Sequence, residues 1–381
     1  MPAFATALEA GLPDLLAGIE ELVLAESPSM DRAAVTACAR VVAALGTRLT
    51  GAEPEWLDTP GSPALRWRFG SGDKVLLLGH FDTVWPVGSL AGHPFAVTGG
   101  RLTGPGCFDM KAGVVQLFHA LSVLDDRDGV SVLLTGDEEI GAPDSRALIE
   151  AEARRTRAVL VLEASEGGAL KTARKGVSGY ELGIAGRAAH AGLEPERGVN
   201  TTTELAHQVL AVSALADPAT GTTVTPTVAS SGTTGNTVPD AARLLVDVRV
   251  GSLGEQVRVD RAMGALAPVL AGASLRVSGG PNRPPLPASA SQELFARARG
   301  LYAGLGFGAL RGVAVGGGSD GNLTAGVGTP TLDGLGAVGG GAHADDEHVT
   351  VAELPRRAAL VASLVTSLVR EPVAGTDRVE A

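Results

Sequence analysis

Cysteine is scarce in this chain of 381 residues: Cys38 and Cys107 are the only two. They form no CxxC pair and no disulfide framework, so a reducing compartment suits the sequence best. Cys38 falls on one predicted helical stripe with Val35, Val42 and Leu45. We therefore expect Cys38 to be an ordinary core residue.

Positive charge and long apolar runs are also lacking. The formal net charge of -11 argues against nucleic acid or an anionic membrane as the main partner. No run approaches the roughly 18 consecutive apolar residues that span a bilayer. The first residues carry acids and no basic segment, so they do not resemble a secretion signal, and we expect a cytoplasmic protein.

The order of the predicted elements indicates an α/β protein. At roughly 150 residues per domain, the length predicts two or three domains. Strands and helices alternate up to Glu163, which is typical of a mostly parallel sheet flanked by helices. In the helix predicted after residue 110, Val114, Leu117 and Phe118 share one face. His119 lies off that face, and we expect it to be exposed to solvent.

The pattern changes in the middle of the chain. Residues 178–283 have the predicted order strand, helix, strand, strand, helix, strand, which is that of a small ferredoxin-like layer. A turn-rich stretch, Gly279–Pro285, marks the exit. We therefore predict a catalytic domain made of residues 1–177 and 284–381, interrupted by an inserted domain of residues 178–283.

Polar residues follow several predicted buried strands. The apolar run Val75–Leu78 leads into His80 and Asp82, and two later runs lead into Glu139 and Glu163. Parallel sheets bind ligands beyond the carboxyl ends of their strands, so we expect these side chains at one edge. Taken alone, His-x-Asp is equally well a surface turn. Two glycine-rich loops add an acid just before a helix and a second imidazole near the C-terminus, at Asp109 and His343.

Two imidazoles and three carboxylates can bind two divalent ions that share one carboxylate. With Asp109 as the natural bridge, we assign the ligands as His80, Asp109, Glu139, Glu163 and His343. Imidazole and carboxylate ligands without thiolate fit zinc, with cobalt and manganese as alternatives. Such ions can clamp and acidify a water between them.

Glu138 and Glu139 cannot perform the same task. On extended backbone, adjacent side chains point in opposite directions. One of the two can therefore bind metal while the other takes the proton of the attacking water. The ordinary alternative for residues 137–139 is an exposed acidic turn.

The predicted insertion carries its own polar residues, His190, Asn236 and Arg249. An arginine can hold a substrate carboxylate in a bidentate pair, and His or Asn can donate to a developing oxyanion. Each of the three, taken alone, is more often an ordinary surface or strand residue. Further along, Gly317 and Gly318 precede a predicted helix and could offer backbone N–H groups to an anion. No lysine follows them, and this argues against a nucleotide-binding loop.

These motifs resemble those of the co-catalytic zinc hydrolases that include glutamate carboxypeptidase, aminoacylase, acetylornithine deacetylase and succinyl-diaminopimelate desuccinylase. The resemblance covers nearly the whole chain. It lies in GHFDTV at 79–84, GPGCFDMKAG at 104–113, GDEEIG at 136–141, GRAAHAG at 186–192, NTVPDAARLLVDVR at 236–249 and GGGAHADDE at 339–347.

The resemblance implies two zinc sites that are bridged by Asp109. His80 and Glu163 would complete one site, and Glu139 and His343 would complete the other. It also implies that the peptide bond after Asp109 is cis.

The resemblance further implies that Glu138 is the general base and then the acid, while Asp82 orients the first imidazole. It implies a homodimer formed through the inserted lid domain. His190 would then reach the active site of the neighbouring subunit, and Asn236 and Arg249 would contact substrate.

Within that family, the chain is most similar to the glutamate carboxypeptidase branch. Glu163 stands where many deacylases have aspartate, and Asp333–Gly336 precedes His343. We therefore predict hydrolysis of an amide or peptide bond next to a free carboxylate, on a small peptide or N-acyl amino acid. The alternatives are an N-acyl amino-acid deacylase on the same metal centre and a metal-dependent binding protein without catalysis. Further basic candidates for the substrate carboxylate are Lys171, Arg174, Lys175 and Arg283.

Overall fold

The computed structural model describes residues 3–371. Its α-helices, in chain order, are α1 (Ala3–Ala10), α2 (Leu12–Leu24), α3 (Arg32–Thr50), α4 (Ala112–Ser122), α5 (Arg146–Arg155), α6 (Thr201–Ser213), α7 (Leu253–Gly264), α8 (Ala288–Gly304), α9 (Asp320–Gly326) and α10 (Leu354–Arg370). Its β-strands are β1 (Glu55–Leu57), β2 (Ala64–Phe69), β3 (Val75–His80), β4 (Ala96–Thr98), β5 (Arg101–Thr103), β6 (Val130–Thr135), β7 (Ala158–Val161), β8 (Leu170–Arg174), β9 (Gly176–Ala185), β10 (Ala189–His190), β11 (Thr223–Ser231), β12 (Thr237–Val238), β13 (Ala241–Val250), β14 (Ser274–Arg283), β15 (Gly312–Val315), β16 (Thr331–Leu332), β17 (Gly339–Gly340) and β18 (His348–Thr350).

The described residues divide into two compact units. Unit 2 comprises Arg174–Pro287 and Val315–Gly318, and unit 1 comprises the residues before, between and after these segments. Unit 1 contains a six-stranded sheet of order β1-β2-β6-β3-β7-β16. The strands β6, β3, β7 and β16 are parallel, and β2 and β1 add an antiparallel edge. The predicted α/β fold with a mostly parallel sheet is therefore confirmed.

The central strands are apolar throughout because both faces of the sheet are covered. Every residue of β3, β6 and β7 is buried. Alternate side chains of β3 enter different clusters: Leu77 packs with residues of α2, α3, α4 and α10, whereas Leu76 and Leu78 pack with residues of α5 and α9. The sequence therefore shows a continuous apolar run instead of an alternating pattern.

The prediction for His119 was wrong. His119 is only 6% exposed, and α4 is buried along Ala112–Leu121. The outer side of α4 is enclosed by α2, α3 and α10, so this helix has no solvent face on which a polar residue could lie. Gln116 illustrates the consequence, because its amide donates to the carbonyl of Leu354 in α10.

The helix α3 has the length and apolar composition that a membrane span would need, although such evidence from one helix is weak. Its start is fixed by Asp31, whose carboxylate accepts hydrogen bonds from the backbone N–H groups of Ala33 and Ala34. Its apolar stripe packs into the core of unit 1, and Cys38 is fully buried there, as expected.

Unit 2 has the strand and helix order that the sequence predicted for residues 178–283. Its sheet has the order β11-β13-β9-β14, and all neighbouring strands are antiparallel. Residues of α6 and α7, among them Leu205 and Val259, form one apolar cluster with the sheet. The use of this unit as a lid and dimerisation domain stays a prediction.

A glycine allows α4 to approach the end of β7. A Cβ atom on Gly113 would lie 2.1 Å from the backbone oxygen of Leu162. Gly113 follows the turn that contains Asp109, and Leu162 precedes Glu163. The missing side chain therefore lets two predicted metal ligands come together.

We expect Gly113→Ala to destabilise unit 1, because backbone must move to admit the methyl group. The expected loss is about 1–3 kcal/mol in the free energy of unfolding. Gly300→Ala is the matched control. Gly300 lies in α8, and a Cβ atom added there would contact nothing within 4 Å. This variant should have the same free energy of unfolding as the wild type, or a slightly higher one. Thermal unfolding of both variants provides the measurement, and equal melting temperatures would contradict the prediction.

Candidate metal centre

The carboxyl ends of three neighbouring parallel strands bring acids and an imidazole to one edge of the sheet. His80 is the last residue of β3, Glu163 follows β7, and Glu138 and Glu139 follow β6. Since β3 pairs with β6 on one side and with β7 on the other, these side chains converge. His80 is 1% exposed and Glu163 is 6% exposed, so the two form the buried part of the site.

Asp109 lies between the two imidazoles. Its Oδ1 is 3.4 Å from His80 Nε2, and its Oδ2 is 3.4 Å from His343 Nε2. The carboxylate thus presents one oxygen to each ring, which is the arrangement expected of a bridging ligand. The peptide bond from Asp109 to Met110 is cis, as the resemblance implied.

The other two carboxylates are divided between the same imidazoles. Glu163 Oε1 is 3.5 Å from His80 Nε2, whereas Glu139 Oε1 is 3.2 Å from His343 Nε2. The structure therefore brings together all five residues predicted as ligands, in the pairs that the resemblance implied. Whether these five residues can hold an ion depends on the spacing and surroundings of their donor atoms.

The distances between the donor atoms are those of ligands around one divalent ion, and most are too long for good hydrogen bonds between the side chains. Two atoms that each lie roughly 2.0–2.2 Å from one tetrahedral zinc ion are about 3.3–3.6 Å apart. The four imidazole-to-carboxylate distances are 3.2, 3.4, 3.4 and 3.5 Å, most of them long for a hydrogen bond. His80 Nε2 and Asp109 Oδ1 are buried without a hydrogen-bond partner. Such unsatisfied, converging atoms are typical of a metal site.

The electrostatics favour positive charge at this position. Burial alone would lower the pKa of His80, but the carboxylates of Asp109, Asp82 and Glu163 around the ring raise this pKa well above its usual value. Asp109 and Glu139 raise the pKa of the His343 imidazole to about 10. The surplus of carboxylates over imidazoles therefore creates a field that a cation would neutralise.

Asp82 holds both His80 and the turn that carries the two glutamates. Its Oδ1 is 3.3 Å from His80 Nδ1, and its carboxylate accepts hydrogen bonds from the backbone N–H groups of Glu138 and Glu139, each 3.2 Å long. The hydroxyl of Ser29 donates to the same carboxylate at 2.6 Å. Asp82 is fully buried beside the first imidazole, and its hydrogen bonds also fix the acidic turn. Its role in orienting His80 stays a prediction.

The expectation of extended backbone at Glu138 and Glu139 was wrong. Residues Glu138–Ile140 form a short 3-10 turn. The cause is visible at Asp137, which is buried and accepts hydrogen bonds from the backbone N–H groups of Asp144 and Ser145, and which folds the chain back. The two glutamates still diverge: Glu138 lies with His80 and Glu163, whereas Glu139 lies with His80 and Asp109.

One buried carboxylate near the centre was missed by sequence reasoning. Glu347 is 0% exposed and accepts hydrogen bonds from the backbone N–H of Asp109 and from the indole of Trp85. The available signal was its place at the end of the GGGAHADDE motif, four residues after His343. The hydrophobic periodicity of the sequence does not reveal that Glu347 is a buried acceptor, because most of its donors are backbone N–H groups.

The polar residues of unit 2 do not form one cluster. His190 in β10 pairs with Thr237 in β12, next to Asn236, and these strands precede the start of β13. Arg249 lies near the other end of β13, where its guanidinium binds the Asp247 carboxylate with distances down to 2.8 Å.

The glycine loop lies at the Arg249 end of unit 2. Arg174 precedes β9, whose Val177 pairs with Arg249. The carbonyl oxygens of Gly317 and Gly318 each accept a hydrogen bond from Arg174 Nη1 at 3.2 Å. The loop therefore directs two carbonyl oxygens to an arginine. The use of its backbone N–H groups to bind an anion stays a prediction.

Imidazoles and carboxylates that converge at the carboxyl edge of parallel strands define the class of metal-dependent α/β hydrolases. The model of peptidase family M20/M25/M40 matches residues 76–367, and the chain belongs to this family. It is a metal-dependent hydrolase.

Known proteins match this chain over different lengths. Carboxypeptidase G2 from Pseudomonas sp. strain RS-16 is 32% identical over 376 residues, which cover 93% of this chain and 89% of the relative. Succinyl-diaminopimelate desuccinylase from Wolinella succinogenes is 42% identical over 74 residues, 19% of this chain and 20% of the relative. The fold is similar to that of an M20 family metallo-carboxypeptidase from Sulfolobus solfataricus, with a TM-score of 0.77 and 16% identity, over 93% of this chain and 99% of that one.

We expect Asp82→Asn to weaken metal binding by about 10–100-fold, because the amide cannot accept every hydrogen bond that the carboxylate accepts. Ser29→Ala is the matched milder change, since it removes one donor to Asp82 and leaves the backbone bonds in place. Competition with a chromophoric chelator on metal-stripped protein measures the effect. If Asp82→Asn bound metal no more weakly than Ser29→Ala, the positioning role of Asp82 would be wrong.

Proposed function

We propose that this protein is a dinuclear zinc hydrolase that cleaves an amide or peptide bond next to a free carboxylate. The observation that carries the proposal is the placement of the Asp109 carboxylate between His80 and His343, with one oxygen facing each imidazole. His80 and Glu163 would hold one ion with Asp109, and Glu139 and His343 would hold the other. A pair of zinc ions would polarise the scissile carbonyl and lower the pKa of the attacking water.

Glu138 is the proposed proton carrier. A carboxylate oxygen of Glu138 lies within 4.8 Å of the ligand atoms of His80 and Glu163, so it is close to the centre without being needed in either ligand pair. Its backbone is fixed by Asp82, and its side chain is largely buried. Glu138 would take the proton from water and then deliver it to the leaving amine.

The proposed substrate is a peptide or amide with a C-terminal glutamate-like residue. Support comes from the 32% identity to carboxypeptidase G2 over 93% of the chain, and from the resemblance of Glu163 and Asp333–Gly336 to the glutamate carboxypeptidase branch. The second candidate, an N-acyl amino-acid deacylase, is favoured by the 42% identity to a desuccinylase over 74 residues.

A substrate panel decides between these candidates. Metal-replete protein would be tested on C-terminal glutamyl dipeptides and folate-like conjugates, and on N-acetyl and N-succinyl amino acids, with metal content measured in parallel. A higher kcat/KM on the glutamyl compounds supports the proposal, whereas preference for the acyl amino acids supports the deacylase. Metal without hydrolysis of any compound would indicate a binding protein.

We expect Glu138→Ala to retain fold and metal but to lose turnover by about 100- to 10,000-fold, the range typical of a general acid–base residue. The measurements are kcat on the best panel substrate, metal content and melting temperature. Near-normal kcat in a metal-loaded variant would falsify the assignment of Glu138.

We also infer a homodimer formed through unit 2. The strand β11 lies at an edge of its sheet, with Val228 49% exposed, and Leu210 of the adjoining α6 is 70% exposed. His190 and Asn236 lie at the opposite end of β13 from Arg249, so one unit does not gather all three proposed substrate contacts. An active site shared between two subunits would bring the three contacts together, because His190 and Asn236 would bind substrate at the metal centre of the neighbouring subunit.

Mixing of inactive variants tests the shared site. If His190 serves the neighbouring subunit, then His190→Ala mixed with Glu138→Ala forms heterodimers in which one site is intact, and activity should return. Glu138→Ala mixed with Glu163→Ala, which removes a proposed zinc ligand, is the control, because both residues belong to unit 1 and no intact site can form. Absence of recovery in the first mixture, despite exchange of subunits, would contradict the shared site.

A further inference from the structure

Glu347 is fully buried, and it accepts four hydrogen bonds. Its Oε1 accepts from the backbone N–H groups of Phe108 and Asp109, at 2.9 and 3.1 Å. Its Oε2 accepts from the backbone N–H of Gly106 at 2.9 Å and from Trp85 Nε1 at 2.7 Å. All four donors are neutral N–H groups, so the carboxylate is satisfied as an acceptor and carries no ion pair in these contacts.

The donors and the acceptor belong to the chain segments that carry three proposed ligands. Trp85 follows His80 by five residues, and residues 106–109 form the turn that ends in Asp109. Glu347 itself lies four residues after His343, at the boundary of β18, which pairs with β5 just ahead of the Asp109 turn. Glu347 therefore joins segments that are more than 230 residues apart in sequence, for example at the 238-residue separation from Asp109.

We propose that Glu347 is a positioning residue that fixes the distance between Asp109 and His343, and thereby sets the affinity of the centre for its ions. This inference rests on the proposed metal centre but not on the proposed substrate. One proposed ion would take Asp109, His343 and Glu139 as its ligands. Glu347 lies four residues from His343 and accepts three backbone hydrogen bonds from the Asp109 turn, so it ties two of these ligands directly. The other proposed ion shares Asp109, but its His80 is reached only through Trp85, five residues away.

The chemistry of the side chain predicts what a minimal change does. In Glu347→Gln, one carboxylate oxygen becomes an NH2 group, which cannot accept. Whichever way the amide is oriented, two N–H donors face that NH2 group, and the buried donors lose their partners. Trp85→Phe is the gentler change, because it removes the indole donor and leaves the three backbone bonds.

The chain offers a matched control in unit 2. Glu204 is also fully buried, and its carboxylate accepts from the backbone N–H groups of Val269 and Leu270 and from the amide of Gln208. Glu204→Gln creates the same conflict between donors, far from any proposed ligand in sequence. It should lower the melting temperature without a change in metal affinity.

The experiment measures zinc dissociation constants of metal-stripped full-length protein by chelator competition, with stoichiometry by mass spectrometry and the visible spectrum of the Co2+-loaded form. For Glu347→Gln we expect one ion to bind about 10–100-fold more weakly, with an altered Co2+ spectrum. For Trp85→Phe we expect a smaller loss, and for Glu204→Gln wild-type affinity.

The proposal is overturned if Glu347→Gln binds both ions with wild-type affinity and differs only in melting temperature, as Glu204→Gln does. If Glu347→Gln does not fold, Trp85→Phe decides, and wild-type affinity in that variant counts against the proposal. A wild-type protein that takes up a single ion would refute the dinuclear centre, and the same comparison of affinities would still decide the role of Glu347. Lack of hydrolysis by metal-loaded wild-type protein would refute the proposed function alone.

Discussion

The proposed metal centre depends on one carboxylate that lies between two imidazoles more than 260 residues apart in sequence: Asp109, with His80 on one side and His343 on the other. Gathering carboxylates in a largely buried site is unfavourable unless positive charge compensates them. The carboxylates raise the pKa of both imidazoles, in the direction that this demand predicts. A pair of divalent ions would meet it, and the family to which the chain belongs is metal-dependent.

The parallel sheet supplies one half of the site and the loops supply the other. His80 and Glu163 come from the ends of adjacent buried strands, so their separation is set by the sheet and varies little. Asp109 and His343 come from glycine-rich turns, which have no such rigid support. Two buried carboxylates outside the ligand set support loops of the site: Glu347 contacts the Asp109 turn, and Asp82 contacts the turn of Glu138 and Glu139.

The sequence predicted the ligands better than it predicted the groups that hold them. Apolar runs that end in His or Glu reveal strand ends, so His80 and Glu163 could be placed from the pattern and the sheet order alone. The contacts of Glu347 could not, because they depend on where backbone N–H groups point. The error at Glu138 had the same origin, since a 3-10 turn fixed by the Asp137 carboxylate leaves no periodic signal. His119 was misplaced because burial depends on which helices cover α4.

The hydrogen bonds to the two supporting carboxylates bring no positive charge to the centre. Asp82 and Glu347 both accept from neutral N–H groups, which hold the turns in place. Burial raises the pKa of Glu347, and its four hydrogen bonds oppose that rise. These contacts therefore fix geometry without placing a cation beside the proposed ions. A lysine or arginine in place of the backbone donors could hold the same carboxylates. Its positive charge would, however, repel the proposed ions and reduce the negative potential that attracts them.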